Sequence, residues 1–249
     1  MLVCTDDFAG WLPLQTNLAL KGIIGIKAMA ELASVAGNHA DAKHYSNISS
    51  VYIDKWQDYG ISRDGGHAKL AYDWYGSWTT LYSLFGDAIL CFHPSITGNA
   101  SVKSIQEDFM MPAGGGDQQL LHPPHKSTIS KDKDFIPHSI YVNQSRWYSV
   151  VMQRYGLPLD SRHLYTKSDW EFEAAAVAEQ AVRKDILDRV SRWLNETSTD
   201  RPFTDLYETE GTGGFPGPHF MARPVVGGHF SFLALERACG GGNRLGMDD

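Results

Sequence analysis

The sequence predicts an all-α fold of about seven helices joined as αα-hairpins. Three features predict it. Apolar residues recur at a spacing near 3.6 in successive segments, Gly, Pro or cap residues close those segments, and no alternating run of strand length stands out.

The first helix spans Thr16 to Ala36, with Leu20, Ile23, Ile24, Ala28, Leu32 and Val35 on one stripe and Gly37 as its stop. Gly22 and Gly25 inside it each cost about 1 kcal/mol relative to Ala, which suits a place where another helix backbone comes close. A second helix opens at Asp41, carries Tyr45, Ile48, Tyr52 and Trp56 at helical spacing, and closes at Gly60. The short turn between the two makes a hairpin. A loop over 61–77 leads to a third helix from about Trp78 to Phe92. The fourth runs from Pro137, a good first-turn residue, to Tyr155. Ser168-Asp169-Trp170-Glu171 reads as a capping box, opening a fifth helix through Ala174 to Ala176. A sixth follows from Lys184 to Glu196 and a last one from Gly228 to Ala238. Between Pro94 and Asp134 no period is sustained, and roughly forty structureless residues inside a compact domain predict a disordered insertion. The whole of residues 1–249 otherwise reads as one domain.

Composition narrows the function. A net charge of −7 with no basic stripe excludes a nucleic-acid partner. No apolar run is long enough to span a bilayer, so no membrane partner is expected. Cys4, Cys91 and Cys239 offer no zinc spacing and at most one disulfide. His122, His125 and Asp117 lack a scaffold for a metal, so no metal is expected. Asn-X-Ser/Thr sequons at Asn47, Asn99, Asn143 and Asn195 take four of the seven asparagines, which favours an extracellular protein whose signal peptide lies outside this chain. No Gly-x-Ser-x-Gly elbow, P-loop or dinucleotide fingerprint is present.

Chemistry-bearing residues collect in loops at helix ends, where binding sites of helical arrays belong. Asp6 and Asp7 are adjacent carboxylates able to raise one another's pKa, or else a solvated turn. The 64–78 loop sets Asp64 and His67 beside glycines, with Trp74 and Trp78 as ring walls. The densest loop holds Asp160, Arg162, His163, Lys167 and Asp169; Ser168, Asp169 and Glu171 have a capping explanation, whereas the others do not. Asp205, Arg223 and the Gly227-Gly228-His229 helix start form a fourth group, suited either to holding a carboxylate or to tight helix packing. The acid–base candidates are Asp160, His163 and Asp169, with Asp6, Asp7 and Asp64 on the same rim. Arg162, Lys167, His67, Trp74, Trp78, Arg223 and His229 are the substrate-binding candidates for a small molecule.

Five of these segments carry a resemblance. Thr5-Asp-Asp-Phe-Ala-Gly10, Asn17 to Met29, Tyr155-Gly-Leu-Pro-Leu-Asp-Ser-Arg-His163, Tyr165-Thr-Lys-Ser-Asp-Trp-Glu171 and Ala222-Arg-Pro-Val-Val-Gly-Gly-His229 resemble, in matching order, the fungal glutaminase A family. The resemblance implies a partial (α/α) six-hairpin toroid, related to many glycosidases, and hydrolysis of L-glutamine to L-glutamate and ammonia without an organic cofactor. It also implies a further N-terminal region as an intramolecular partner, and direct passage from Phe92 to Phe135. A glycoside hydrolase, with two carboxylates flanking a sugar bond and Trp74 and Trp78 under its rings, is the alternative on the same fold. An inactive truncated domain is the third reading.

Overall fold

The computed structural model of the 249-residue chain describes residues 3–6, 10–93, 134–214 and 220–238. Seven α-helices are found among them: α1 (Thr16–Val35), α2 (His39–Gly60), α3 (Leu84–Ile89), α4 (His138–Val151), α5 (Ser168–Ala176), α6 (Gln180–Glu196) and α7 (Ser231–Arg237). A 3-10 helix, Pro224–Phe230, leads into α7. The expected all-α class therefore holds.

The α1–α2 hairpin is tight at its open end. Trp56 Nε1 donates to the Thr16 carbonyl at 3.0 Å, and a Cβ on Gly60 would sit 2.9 Å from the Thr16 methyl. Only glycine fits there. Leu20, Ile23, Ile24, Ile53 and Trp56 are buried with Leu81, Leu84, Ile136 and Tyr141 in one core cluster. The stripe does not stay buried along α1, because Leu32 is 62% and Val35 88% exposed. Gly22 and Gly25 face nothing within 4 Å among the described residues, so the close helix approach expected there is not made by them. The second core packs α5 and α6 around Ala174, Ala175, Ile186 and Val190, with Trp193 stacked on Tyr207 at 3.8 Å. Arg183 closes α5 by donating to the carbonyls of Ala175, Ala176 and Ala178, a cation at a helix C-terminus.

Three further expectations need correction. The third helix is only Leu84–Ile89, since residues 78–80 instead make sheet-like bonds: Thr79 N to Ala68 O, Thr80 N to Leu159 O, and Ser161 N to Trp78 O. Thr80 Oγ1 adds a bond to the Pro158 carbonyl at 2.7 Å, so side chain and backbone together hold this β-branched stretch extended. Strands are also present. β1 (Val3–Asp6) pairs antiparallel with β2 (Gly10–Pro13), and β3 (Tyr165–Lys167) with β4 (Leu206–Glu208), in segments of three or four residues, too short to show alternation. Finally, Ser168 and Glu171 do not form a capping box. Lys167 is the N-cap and makes no side-chain cap bond, while Ser168 Oγ meets His229 Nε2 at 2.9 Å. Glu171 turns into the core: Oε1 accepts from Leu157 N at 2.6 Å and Oε2 lies 2.6 Å from the Tyr207 hydroxyl. Burial lifts its carboxyl to about 8.

The expected insertion falls outside the described residues apart from Asp134. Its two flanks meet. Phe135 N donates to the Phe92 carbonyl at 2.9 Å, their rings pack edge to face at 6.2 Å, and His93 Nε2 lies 3.4 Å from Asp134 Oδ2. Asp87, Tyr141 and His138 complete this buried polar knot, with Tyr141 donating to Asp87 Oδ2 at 2.7 Å and His138 Nδ1 3.3 Å from His93 Nε2. Burial pushes the Asp87 carboxyl up and the His138 imidazole down.

Candidate active site

The β3–β4 pair assembles the centre of the candidate site. Its register sets Lys167 opposite Leu206, so the Lys167 ammonium, 4% exposed, lies 3.2 Å from Asp205 Oδ2 and 3.3 Å from Asp169. Asp205 is gripped on its other side by Arg223, whose Nε donates to Oδ1 at 2.9 Å and whose Nη2 donates to Oδ2 at 2.5 Å. Burial opposes ionisation of Asp205, but the Arg223 and Lys167 hydrogen bonds and charges outweigh it and hold the carboxyl below its usual range. Asp169 has the opposite balance. Burial raises its carboxyl despite Lys167, and its buried Oδ1 has no hydrogen-bond partner. His229 reaches the same place from the 3-10 helix, with burial lowering its pKa and Asp169 and Asp205 pulling the other way. Gly228 makes this approach possible, because a Cβ there would lie 2.8 Å from Asp169 Cβ and 3.0 Å from its carbonyl oxygen. Of the two readings of the Gly-Gly start, close packing is the one observed.

The neighbouring loops join this centre through backbone bonds, as convergence on one rim requires. Thr79 bridges Asp160, and Trp78 N donates to Ser161 Oγ at 3.3 Å. Asn17, at the start of α1, donates to the Thr80 carbonyl at 2.9 Å. Asp160 itself is committed: Arg162 Nε and Nη2 hold its two oxygens at 2.9 and 2.7 Å. That bidentate pair, two residues apart, is a local brace in which both charges are satisfied. His163 is exposed and stacks on Tyr165 at 4.7 Å.

Other candidates lie apart from the charge cluster. Asp64 Oδ1 accepts from Ser62 Oγ at 2.6 Å and Gly66 N at 3.0 Å, hydrogen bonds that lower its pKa and make it a turn residue. His67 stacks on Trp147 at 4.0 Å, and burial lowers its pKa. Trp78 meets the same Trp147 edge-on at 6.4 Å, while Trp74 is 44% exposed. Asp6 is placed in β1, and Asp7 lies outside the described residues. A surface cavity of about 860 Å³ lined by Arg154, Glu196 and Thr212 shares no residue with the cluster. Among the described residues, no three His, Cys, Asp or Glu side chains gather to hold a metal, and no helix is long and apolar enough to cross a membrane.

Four residues not singled out by sequence complete one side of the site. Tyr82 and Trp170 stack face to face at 4.3 Å, and both Lys167 and Lys21 lie over this pair, Lys167 4.5 Å from the Trp170 ring and Lys21 4.8 Å from the Tyr82 ring. Glu173, one helical turn after Asp169, has its carboxyl raised to about 7 by burial, with Lys21 pulling it down and Asp169 pushing it up. The i, i+4 spacing from Asp169 was the available signal for Glu173.

Comparison with known proteins places this arrangement. The family model for the glutaminase A six helical-hairpin domain matches residues 2–111 and 130–233. The chain belongs to this family. Over 237 residues it is 59% identical to a probable glutaminase of Arthroderma benhamiae, covering 95% of this chain and 26% of that protein. Over 236 residues it is 39% identical to glutaminase A of Aspergillus oryzae, covering 94% of this chain and 28% of that one. The chain thus spans about a quarter of the length of these curated relatives. No solved structure matches. The family match runs through every cluster residue described above and leaves residues 112–129 unmatched.

Proposed function

We propose that this chain supplies the amide-hydrolysing centre of a glutaminase, which converts L-glutamine to L-glutamate and ammonia. The observation that carries the reading is the buried Lys167 ammonium shared between Asp169 and Asp205, at the point where three loops and a helix start converge. Asp169 takes a proton from water as its oxygen attacks the side-chain amide carbon, and passes that proton to the departing nitrogen. A carboxyl raised by burial suits both roles, since it binds and releases a proton nearer neutral pH. Lys167 faces the negative charge that develops on the amide oxygen. His229, kept neutral by burial, offers a ring nitrogen to the reacting amide.

The glycosidase alternative requires two carboxylates flanking an open sugar bond. Asp160 has both oxygens on Arg162 and Asp205 has both on Arg223, so neither is open to pair with Asp169 across a sugar bond. The decisive assay follows ammonia release from L-glutamine, with aryl glycosides in parallel, for this chain and for a longer protein containing it. Asp169→Asn is expected to reduce kcat by about 10²- to 10⁴-fold, the usual worth of a positioned acid–base group. Glycoside turnover without ammonia overturns the reading. Activity only in the longer protein assigns this chain the part of an incomplete site.

The same protein is proposed to be extracellular and glycosylated. Asn47 and Asn195 are exposed, and Cys91 is disulfide-bonded, which suits an oxidising compartment. Asn143 is different, because its Nδ2 donates to the Gly65 carbonyl at 3.0 Å and is occupied in the fold. Protein recovered from the medium of a eukaryotic host is expected to shift in mass on deglycosylation, with no glycan at Asn143. An unshifted mass sinks the idea.

A further inference from the structure

We propose that Lys21, which lies over the Tyr82–Trp170 stack, and Glu173, three residues after Trp170 on α5, form the subsite that holds the α-carboxylate and α-ammonium of a free amino acid, so that the enzyme selects free glutamine over glutamine side chains within a peptide. This rests on the glutaminase reading and names its substrate class. Of the substrate-binding candidates that could grip an α-carboxylate, Arg162 is chelated to Asp160, and Lys167 is held between Asp169 and Asp205. Lys21 is exposed on α1 and sits over the Tyr82 ring at 4.8 Å and the Trp170 ring at 5.7 Å. Glu173 is half-buried on α5, and neither of its oxygens makes a hydrogen bond or ion pair among the described residues. Lys21 and Glu173 feel one another's charge without reaching contact. Opposite charges that feel one another without contact match a zwitterion, which brings a carboxylate to the cation and an ammonium to the anion.

The spacing agrees with the chemistry. Glu173 follows Asp169 by four residues on α5, a rise of about 6 Å at 1.5 Å per residue. Three carbon–carbon bonds of about 1.5 Å separate the α-carbon of glutamine from its amide carbon, roughly 4 Å end to end. An amino acid anchored at Glu173 therefore directs its amide along the helix toward Asp169. A carboxyl that burial holds near 7 also has the most to gain from an arriving ammonium. A residue within a peptide has neither terminal charge to offer.

The test uses the longest active form of the protein and three amides: L-glutamine, glutaramic acid, which lacks the α-ammonium, and a tripeptide with glutamine in its centre. Wild type is expected to prefer L-glutamine by at least tenfold in kcat/KM. Glu173→Gln should raise KM for L-glutamine by about tenfold or more and leave glutaramic acid unchanged; Lys21→Met should weaken both. Equal loss on all three substrates marks Glu173 as merely structural and overturns the proposal, as does tripeptide turnover matching that of L-glutamine. Ammonia release from none of the three defeats the glutaminase reading itself, a distinct outcome. Circular dichroism of each variant confirms that the fold survives.

Discussion

Glu171→Gln keeps this protein folded and removes a loss of stability between about pH 4.5 and pH 8, whereas Glu171→Ala destabilises it by roughly 3 kcal/mol or more. The reason is a proton count. Tyr207 Oη lies 3.0 Å from the Tyr155 carbonyl and 2.6 Å from Glu171 Oε2, and the hydroxyl owns one hydrogen. Both bonds form when the hydroxyl donates to the carbonyl and a neutral Glu171 donates to the hydroxyl. Full burial favours that neutral form and raises the carboxyl from 4.5 to about 8. Below about pH 4.5 the side chain is protonated in the folded and unfolded chain alike, and its contribution is fully present. As pH rises, the unfolded chain ionises first, so stability falls until the folded carboxyl also loses its proton near pH 8. The accumulated loss is on the order of 3–5 kcal/mol. Glutamine copies the neutral acid, donating its amide to Tyr207 and accepting from Leu157 N. Thermal denaturation across pH 4 to 9 checks this; parallel pH profiles for wild type and Glu171→Gln would reject it.

Lys167→Met lowers stability by about 3–5 kcal/mol, and Lys167→Met with Asp169→Leu recovers most of that loss. Removing the ammonium alone leaves Asp169, 5% exposed, without its only hydrogen-bonding cation among the described residues, although Asp205 keeps Arg223. Removing the carboxylate as well relieves the stranded charge. Urea denaturation of the two single variants and the double variant measures the coupling. Additive losses would show that Lys167 acts through Trp170, whose ring it covers at 4.5 Å, and not through Asp169.

Helix existence was legible because the first half of α1, together with α2 and α6, buries a face at helical period, and glycines mark the ends of α1 and α2. Trp56 is buried where the period puts it, whereas Tyr52 of the expected stripe is 46% exposed and Ile53 beside it is buried instead. What escaped depends on partners distant in sequence. Thr79 and Thr80 are drawn from a helix into extended backbone by loops near residues 68 and 159, which no local window contains. Glu171 has the spacing of a capping residue, yet Tyr207 and Leu157 compete for it more effectively than the backbone amide of its own helix. The site shows the same division. Lys167, Asp169, Arg223 and His229 were visible as charged groups in loops and do converge. Asp160 and Arg162 looked equally reactive, but proximity in sequence lets them neutralise each other. Lys21 and Glu173 were hidden as ordinary polar residues on helices, and only tertiary packing brings their charges near one another.

The joining of Phe92 to Phe135 separates the length of the intervening chain from the integrity of the core. Entry and exit are fastened by a backbone bond, a ring contact and the His93–Asp134 contact, so the helices on either side are indifferent to how much polypeptide runs between them. Each doubling of that length alters closure entropy by only about 0.6 kcal/mol. Evolution can therefore lengthen or trim the sequence here almost without penalty, and a reporter peptide can be spliced at the same junction while α3 and α4 keep their packing.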